Sequence, residues 1–228
     1  MQNIMKMPAE IMHKAYRFSW RCLQRARFDD KRICIISQNC IGGVIYHDLG
    51  LEFTSSFINC LVRGADMMRL CSDPERYMSA VPVIERYDES PAYPRHPVIR
   101  VDDVEEHFPH TDSGDRALAA WERRVNRIHD YDDLEKVIIA TSWDLDENPA
   151  LIDALRSLPL KKVVFTDKPD LAGEDSMSIP DRLIVRNEER TPNVLAGAAD
   201  RPWQQVFERC FDFVKWLNGA PVRECRLV

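Results

Sequence analysis

Apolar residues recur along the chain at two spacings, one helical and one extended. From about Pro8 to Arg27, Ile11, Ala15, Phe18, Cys22 and Leu23 fall at helical intervals, with Lys14, Arg17, Arg21 and Gln24 on the other side, which predicts an amphipathic helix. The run Ile33-Cys34-Ile35-Ile36 is short, β-branched and continuous, as in a central strand of an open α/β sheet, buried on both faces. It stops at Ser37-Gln38-Asn39-Cys40 and the pair Gly42-Gly43, after which residues 44–49 can form a helix closed by Gly50. Residues 51–61 suit a loop followed by a second strand, and Gly64 and Asp73-Pro74 open two further helical turns. Residues 81–87 and 98–101 read as neighbouring strands across a proline-rich loop, 88–97, and residues 104–110 as an edge strand or extended loop. Ser113 is placed to cap a helix running to about Arg127.

The carboxyl half alternates more regularly. Strands are expected at 137–140, 163–165 and 183–185, and helices at 149–158 and 203–217. Strands alternating with helices imply a largely parallel sheet, so the expected class is α/β: a three-layer α/β/α arrangement around a Rossmann-like central sheet. No linker is long enough to impose a boundary, so residues 1–228 read as one domain, with a helix in 1–30, a core in 31–167 and a final strand and helix in 168–228.

Composition narrows the function classes. A net charge of −6 argues against a broad nucleic-acid surface, which needs clustered Lys and Arg. No apolar run approaches the roughly 18 residues of a membrane span. Lys6, Glu10 and His13 interrupt the place where a signal peptide would need an apolar stretch, so the expected location is cytoplasmic. The cysteines number seven and none are spaced C-x-x-C, which speaks against a disulfide framework and against a zinc site. The P-loop, the dinucleotide fingerprint and the serine-hydrolase elbow are all missing.

Chemistry-bearing residues fall into four stretches. Cys40 stands where a strand gives way to a helix, beside Asn39 and Ser37 and the amides of Gly42 and Gly43; a thiolate is favoured there, and those amides can stabilise an oxyanion. The alternative is a small buried residue in a tight turn. His107 and His110 follow Asp102 closely, a pattern that can supply a general base with an orienting carboxylate, or a solvated edge; the H-x-x-H spacing in an extended segment is a poor metal signal, and no metal is expected. Trp121, Arg123 and Arg124 lie on one helix and can hold an anionic ligand such as a nucleotide diphosphate, or form a salt-bridged surface. Asp144 and Asp146 follow the 137–140 strand, where α/β sheets place ligand groups.

These stretches resemble a bacterial family of domains of unknown function whose members are often labelled exopolysaccharide biosynthesis proteins. Ser37-Gln38-Asn39-Cys40-Ile41-Gly42-Gly43 with Tyr46 is similar to that family's S-x-N-C-x-G-G-x-x-Y block. Tyr93-Pro94, Asp102 with His107-Phe108, Trp121-Glu122-Arg123-Arg124 and Phe165-Thr166-Asp167 are similar to its later blocks. Thr111 departs from the family, which usually has Tyr after the second histidine. The resemblance implies a layered α/β/α fold and a link to surface-polysaccharide assembly, and Ser37, Asn39, Gly42, Gly43 and Tyr46 of the first block are the expected ligand contacts. The expected function is acyl transfer to a sugar through Cys40, with a CoA thioester as co-substrate, His107 or His110 as base and Asp102 as orienter. The alternatives are glycosyl transfer from a nucleotide sugar and a non-catalytic assembly role. A small-molecule sugar or acyl donor is the expected partner, with a homo-oligomer open.

Overall fold

The computed structural model describes residues 9–90, 93–128, 131–141, 149–171, 173–179, 185–186, 192–193, 197–198 and 201–227. Its centre is a parallel four-stranded sheet, β1 (Ile33–Ser37), β5 (Glu135–Thr141), β6 (Lys161–Thr166) and β7 (Ser176–Ser178), in the order β1-β5-β6-β7. Between β1 and β5 the chain builds an antiparallel sheet of β2 (Pro82–Ser90), β3 (Tyr93–Val101) and β4 (Val104–His107). The fold is therefore mixed α/β. Alternate residues of β1 enter different cores: Ile33 and Ile35 one, Cys34 and Ile36 the other. That two-sided burial is why the strand is continuously apolar.

On the first face pack α2 (Ile41–Leu49), α7 (Val206–Cys210) and α8 (Phe213–Leu217), with Phe207, Phe213 and Trp216 in the core. On the second lie α3 (Gly64–Ser72), α4 (Pro74–Ser79), α5 (Gly114–Val125), α6 (Pro149–Ser157) and the inner side of the antiparallel sheet. Ser113 caps α5 as expected, its side chain accepting from the Arg116 amide.

Several expectations are corrected. β1 lies at an edge of the parallel sheet rather than at its centre. Its open side is closed by side chains: the Tyr46 hydroxyl accepts from the Ile35 amide and donates to the Ile33 carbonyl, both at 3.0 Å. Unpaired edge groups would otherwise be buried at a cost. Residues 51–61 form no strand; only Leu61 pairs, in an isolated bridge with His107. The proline-rich segment is largely strand, because Pro94 and Pro97 lie past the end of β4, where β3 pairs with β2 alone. The fourth strand of the main sheet is β7, whereas Val185 belongs to a separate two-stranded sheet and Leu183 and Ile184 lie outside the described residues. Residues 203–217 are not one helix. A strand, Arg201–Gln205, leads into α7, and extended Phe211, bridged to Arg226, separates α7 from α8.

The helix at the amino end, α1 (Ala9–Arg27), also departs from its pattern. An apolar stripe ordinarily faces the core. Here the inward residues are Arg17, Trp20, Arg21 and Gln24, while Ile11, Phe18 and Leu23 are exposed. Asp48 and Glu208, both fully buried carboxylates, draw the polar side in: Arg17 and Arg21 bind Asp48 at 2.5 and 2.9 Å, and Arg17 binds Glu208 at 2.6 Å. Trp20 adds its indole N–H to Glu208 at 3.1 Å.

Candidate active site

The turn after β1 is built by its own side chains. Ser37 Oγ accepts from the Gly42 amide at 3.2 Å and donates to the Asn39 carbonyl, and Asn39 Oδ1 accepts from the Ile41 amide at 3.0 Å. Ser37, Asn39 and Gly42 are thus occupied within the turn and are not the free ligand groups expected. A Cβ on Gly42 would lie 3.0–3.1 Å from Ser37 and Ile35, so the missing side chain lets α2 pack tightly on β1. The Gly43 amide has no acceptor among the described residues and remains the open donor of this helix start.

Cys40 occupies the cap position of α2, half-buried, and its Sγ lies 2.8 Å from His110 Nε2. The sequence places these residues 70 apart. The loop after α2 brings them together, since the Val62 amide donates to Gln38 O while Leu61 pairs through its main chain with His107. β4 is thereby tied to the end of β1, and the turn following β4 carries His110 over Cys40. Burial pushes the Cys40 thiol up to about 11, against the helix-start thiolate expected. Cys40 therefore meets the imidazole as a thiol, its Sγ–H within reach of Nε2.

His107 and Asp102 stand elsewhere. His107 lies within β4, with its ring beside His96 of β3; His96 Nδ1 donates to Pro94 O at 2.8 Å, so His96 Nε2 accepts from His107 Nδ1 at 3.2 Å. Burial, with Arg63 and His96 nearby, pulls His107 down to about 4 and keeps it neutral. Asp102 sits with φ 57 in the turn at the opposite end of β4, where it pairs with Arg76 at 2.5 Å. The four residues of β4, about 13 Å of extended chain, separate that turn from the one that carries His110, so Asp102 does not orient it. Among the described residues His110 has no carboxylate partner, and Asp144 and Asp146 lie outside them.

The basic aromatic helix divides by face. Trp121 is core, edge-on to Phe57 at 5.4 Å between centroids, and is not a ligand platform. Three residues on, Arg124 turns inward with it, donates to Ser56 O at 3.1 Å and lies over the Phe108 ring. Arg123 points to solvent. Tyr46 is spent on the edge of β1, as described.

Three residues that sequence reasoning missed belong with this site. Gln38 Oε1 accepts from the Thr141 amide at 2.6 Å, joining the carboxyl ends of β1 and β5, while its buried Nε2 has no partner among the described residues. Asn59 holds φ 56, and its side-chain oxygen lies so close over Gly43 that any Cβ there would overlap it. Glu106 is fully buried, and the charged and titratable groups facing it are Arg124 and Cys60, the latter with its thiol against the carboxyl. A signal was legible for Glu106 alone: in β4 it alternates with Glu105 and His107, so one of two adjacent glutamates had to turn inward.

Burial lifts the Glu106 carboxyl to about 8 from 4.5, against the pull of Cys60 and Arg124. The folded protein then keeps a proton that the unfolded chain has lost across that interval. The stability it contributes is complete below about 4.5 and is lost as pH rises to about 8. Glu106→Gln is expected to flatten the fall in urea midpoint over this range relative to the wild type; parallel curves would show that the carboxyl does not titrate abnormally.

Among the described residues, no three His, Cys, Asp or Glu side chains gather as a metal site, and no helix is long and apolar enough to cross a membrane. In comparisons with known proteins, a family model described as "Domain of unknown function (DUF1919)" matches residues 11–218. A protein of Haemophilus influenzae described as "Uncharacterized protein" is 27% identical over 222 residues, covering 96% of this chain and 100% of that one.

Proposed function

Because the chain belongs to the DUF1919 family, whose description assigns no activity, we propose a function from the site itself: acyl transfer through Cys40, with His110 as general base. The observation that carries this is the 2.8 Å contact between Cys40 Sγ and His110 Nε2 at the start of a helix. A nucleophile within hydrogen-bond reach of a base is the minimum for covalent catalysis. As Sγ attacks the acyl carbonyl of a CoA thioester, its proton passes to His110 Nε2. To the Gly43 amide, open among the described residues, we assign the stabilisation of the oxyanion. Collapse expels the CoA thiolate, which takes the proton from His110, and leaves an acyl-Cys40 thioester. A sugar hydroxyl then gives its proton to His110 and attacks that thioester, and the returning proton restores the Cys40 thiol. We place this transfer in the assembly of a surface polysaccharide, on the strength of the sequence resemblance alone, and read the two-sided parallel sheet as a layered, Rossmann-like scaffold. The nucleotide-sugar reading draws less support, because Asp102 is paired with Arg76 and Arg124 is buried.

Incubation with a series of acyl-CoA thioesters is expected to add the acyl mass to the Cys40 peptide in intact-protein and peptide mass spectra. Cys40→Ser should lose the thioester adduct. Acylation confined to other cysteines, or no adduct with any chain length, would remove Cys40 from the mechanism.

A further inference from the structure

Asn59, in the loop after α2, holds φ 56, in the left-handed region that asparagine tolerates better than most side chains. In a turn, an asparagine ordinarily hydrogen-bonds its own main chain. Here the carboxamide makes no hydrogen bond among the described residues, and the residue is only partly buried. Packing fixes its place instead. Asn59 Oδ1 and Cγ rest on the main chain of Gly43, in the space that a Cβ would fill.

The same loop is tied to the Cys40 turn at two points. The Val62 amide donates to Gln38 O at 3.0 Å, and Asn59 lies on Gly43. Cys40 falls between those two anchors along its own segment, with His110 Nε2 2.8 Å from its sulfur. Burial foremost raises the thiol of Cys60, the neighbour of Asn59, and Cys40 is among the groups near enough to add to it. The carboxamide therefore stands beside the first turn of α2, on the residue whose amide is the open donor there. An oxyanion presents several lone pairs, of which a single amide meets one. Asn59 Nδ2 offers two N–H donors and no charge, so it can assist the Gly43 amide without competing with His110 for the thiol proton.

We propose that Asn59 is the second oxyanion donor of the Cys40 site, its Nδ2–H acting with the Gly43 amide on the carbonyl oxygen of a bound acyl thioester. The inference rests on the acyl-transfer reading. As the bond from Sγ to the acyl carbon forms, the carbonyl π pair moves onto oxygen, where both donors meet it. As that pair returns, the bond from carbon to the CoA sulfur breaks, and neither donor gives up its proton.

The test compares two electrophiles on the full chain. Asn59→Gly keeps the backbone, because glycine adopts φ 56 freely, and removes only the carboxamide. Asn59→Asp keeps the shape and tolerates the same angle, but its carboxylate only accepts. With an acyl-CoA thioester that acylates the wild type, both variants are expected to form acyl-Cys40 about a hundredfold more slowly, the usual cost of one lost oxyanion donor. Iodoacetamide loses iodide from a saturated carbon and forms no oxyanion, so alkylation of Cys40 should keep its rate in Asn59→Gly. Acylation at the wild-type rate in either variant, or acylation and alkylation slowed alike in Asn59→Gly, would overturn the proposal and leave acyl transfer through Cys40 in place. No acyl-Cys40 in the wild type would overturn both.

Discussion

His110→Asn is expected to slow alkylation of Cys40 by iodoacetamide at neutral pH by about a hundredfold or more, the usual worth of a positioned base. The reason lies in the protonation state. Burial holds the Cys40 thiol up near 11, so at neutral pH almost none of it is ionised unless the neighbouring imidazole takes the proton. In the wild type His110 provides that route at 2.8 Å, whereas the variant depends on spontaneous ionisation. Its rate should therefore rise about tenfold per pH unit while the wild type changes less, and the two should converge toward alkaline pH. The comparison needs no knowledge of the substrate. Equal rates and equal pH dependence would show that the two side chains are neighbours without being coupled. His107→Asn is the control, since its ring is committed to His96.

The second large effect is on stability. Asp48→Ala should cost about 3–5 kcal/mol, because removing one member of a buried ionic network leaves the others desolvated and unpaired. Asp48 is fully buried and binds two arginines of α1 at 2.5 and 2.9 Å. Its loss takes one buried carboxylate from Arg17, which keeps Glu208, and leaves Arg21 with no carboxylate among these contacts. Burial already raises Glu208 to about 7, although Arg17 draws it down, so the remaining pair is a poor substitute. For a chain of this length the loss corresponds to a fall in Tm of roughly 6–20 °C. An unfolding free energy from urea titration within about 1 kcal/mol of wild type would mean that the helix is held mainly by other contacts.

Such a network explains what pattern reading could and could not reach. The runs at 33–36, 137–140 and 163–165 are continuously apolar, and each lies within a strand buried on both faces. The cap at Ser113 and the left-handed Gly50 are local chemistry, legible within a few residues. By contrast, β7 has three residues and too little pattern to register, while 203–217 keeps a helical rhythm that the extended Phe211 interrupts. In α1 the periodicity identified the two faces but not which one packs, because Asp48 and Glu208 lie 31 and 191 residues away from Arg17.

The candidate site divides in the same way. Cys40 in a strand-to-helix turn, a glycine pair behind it and a histidine within a later polar block were all present in the linear order of residues. Which histidine reaches the thiol was not, since His107 and His110 differ only in lying inside or beyond a four-residue strand. Pairing of that strand with Leu61, and of Val62 with Gln38, sets the position of His110, consigns Asp102 to the far turn and turns Glu106 inward. Local sequence determined which segments are helix, strand and turn, because neighbouring residues set backbone preference and amphipathic period. Tertiary contact alone decided which side chains meet and which protons they hold, because both depend on burial and on partners remote along the chain.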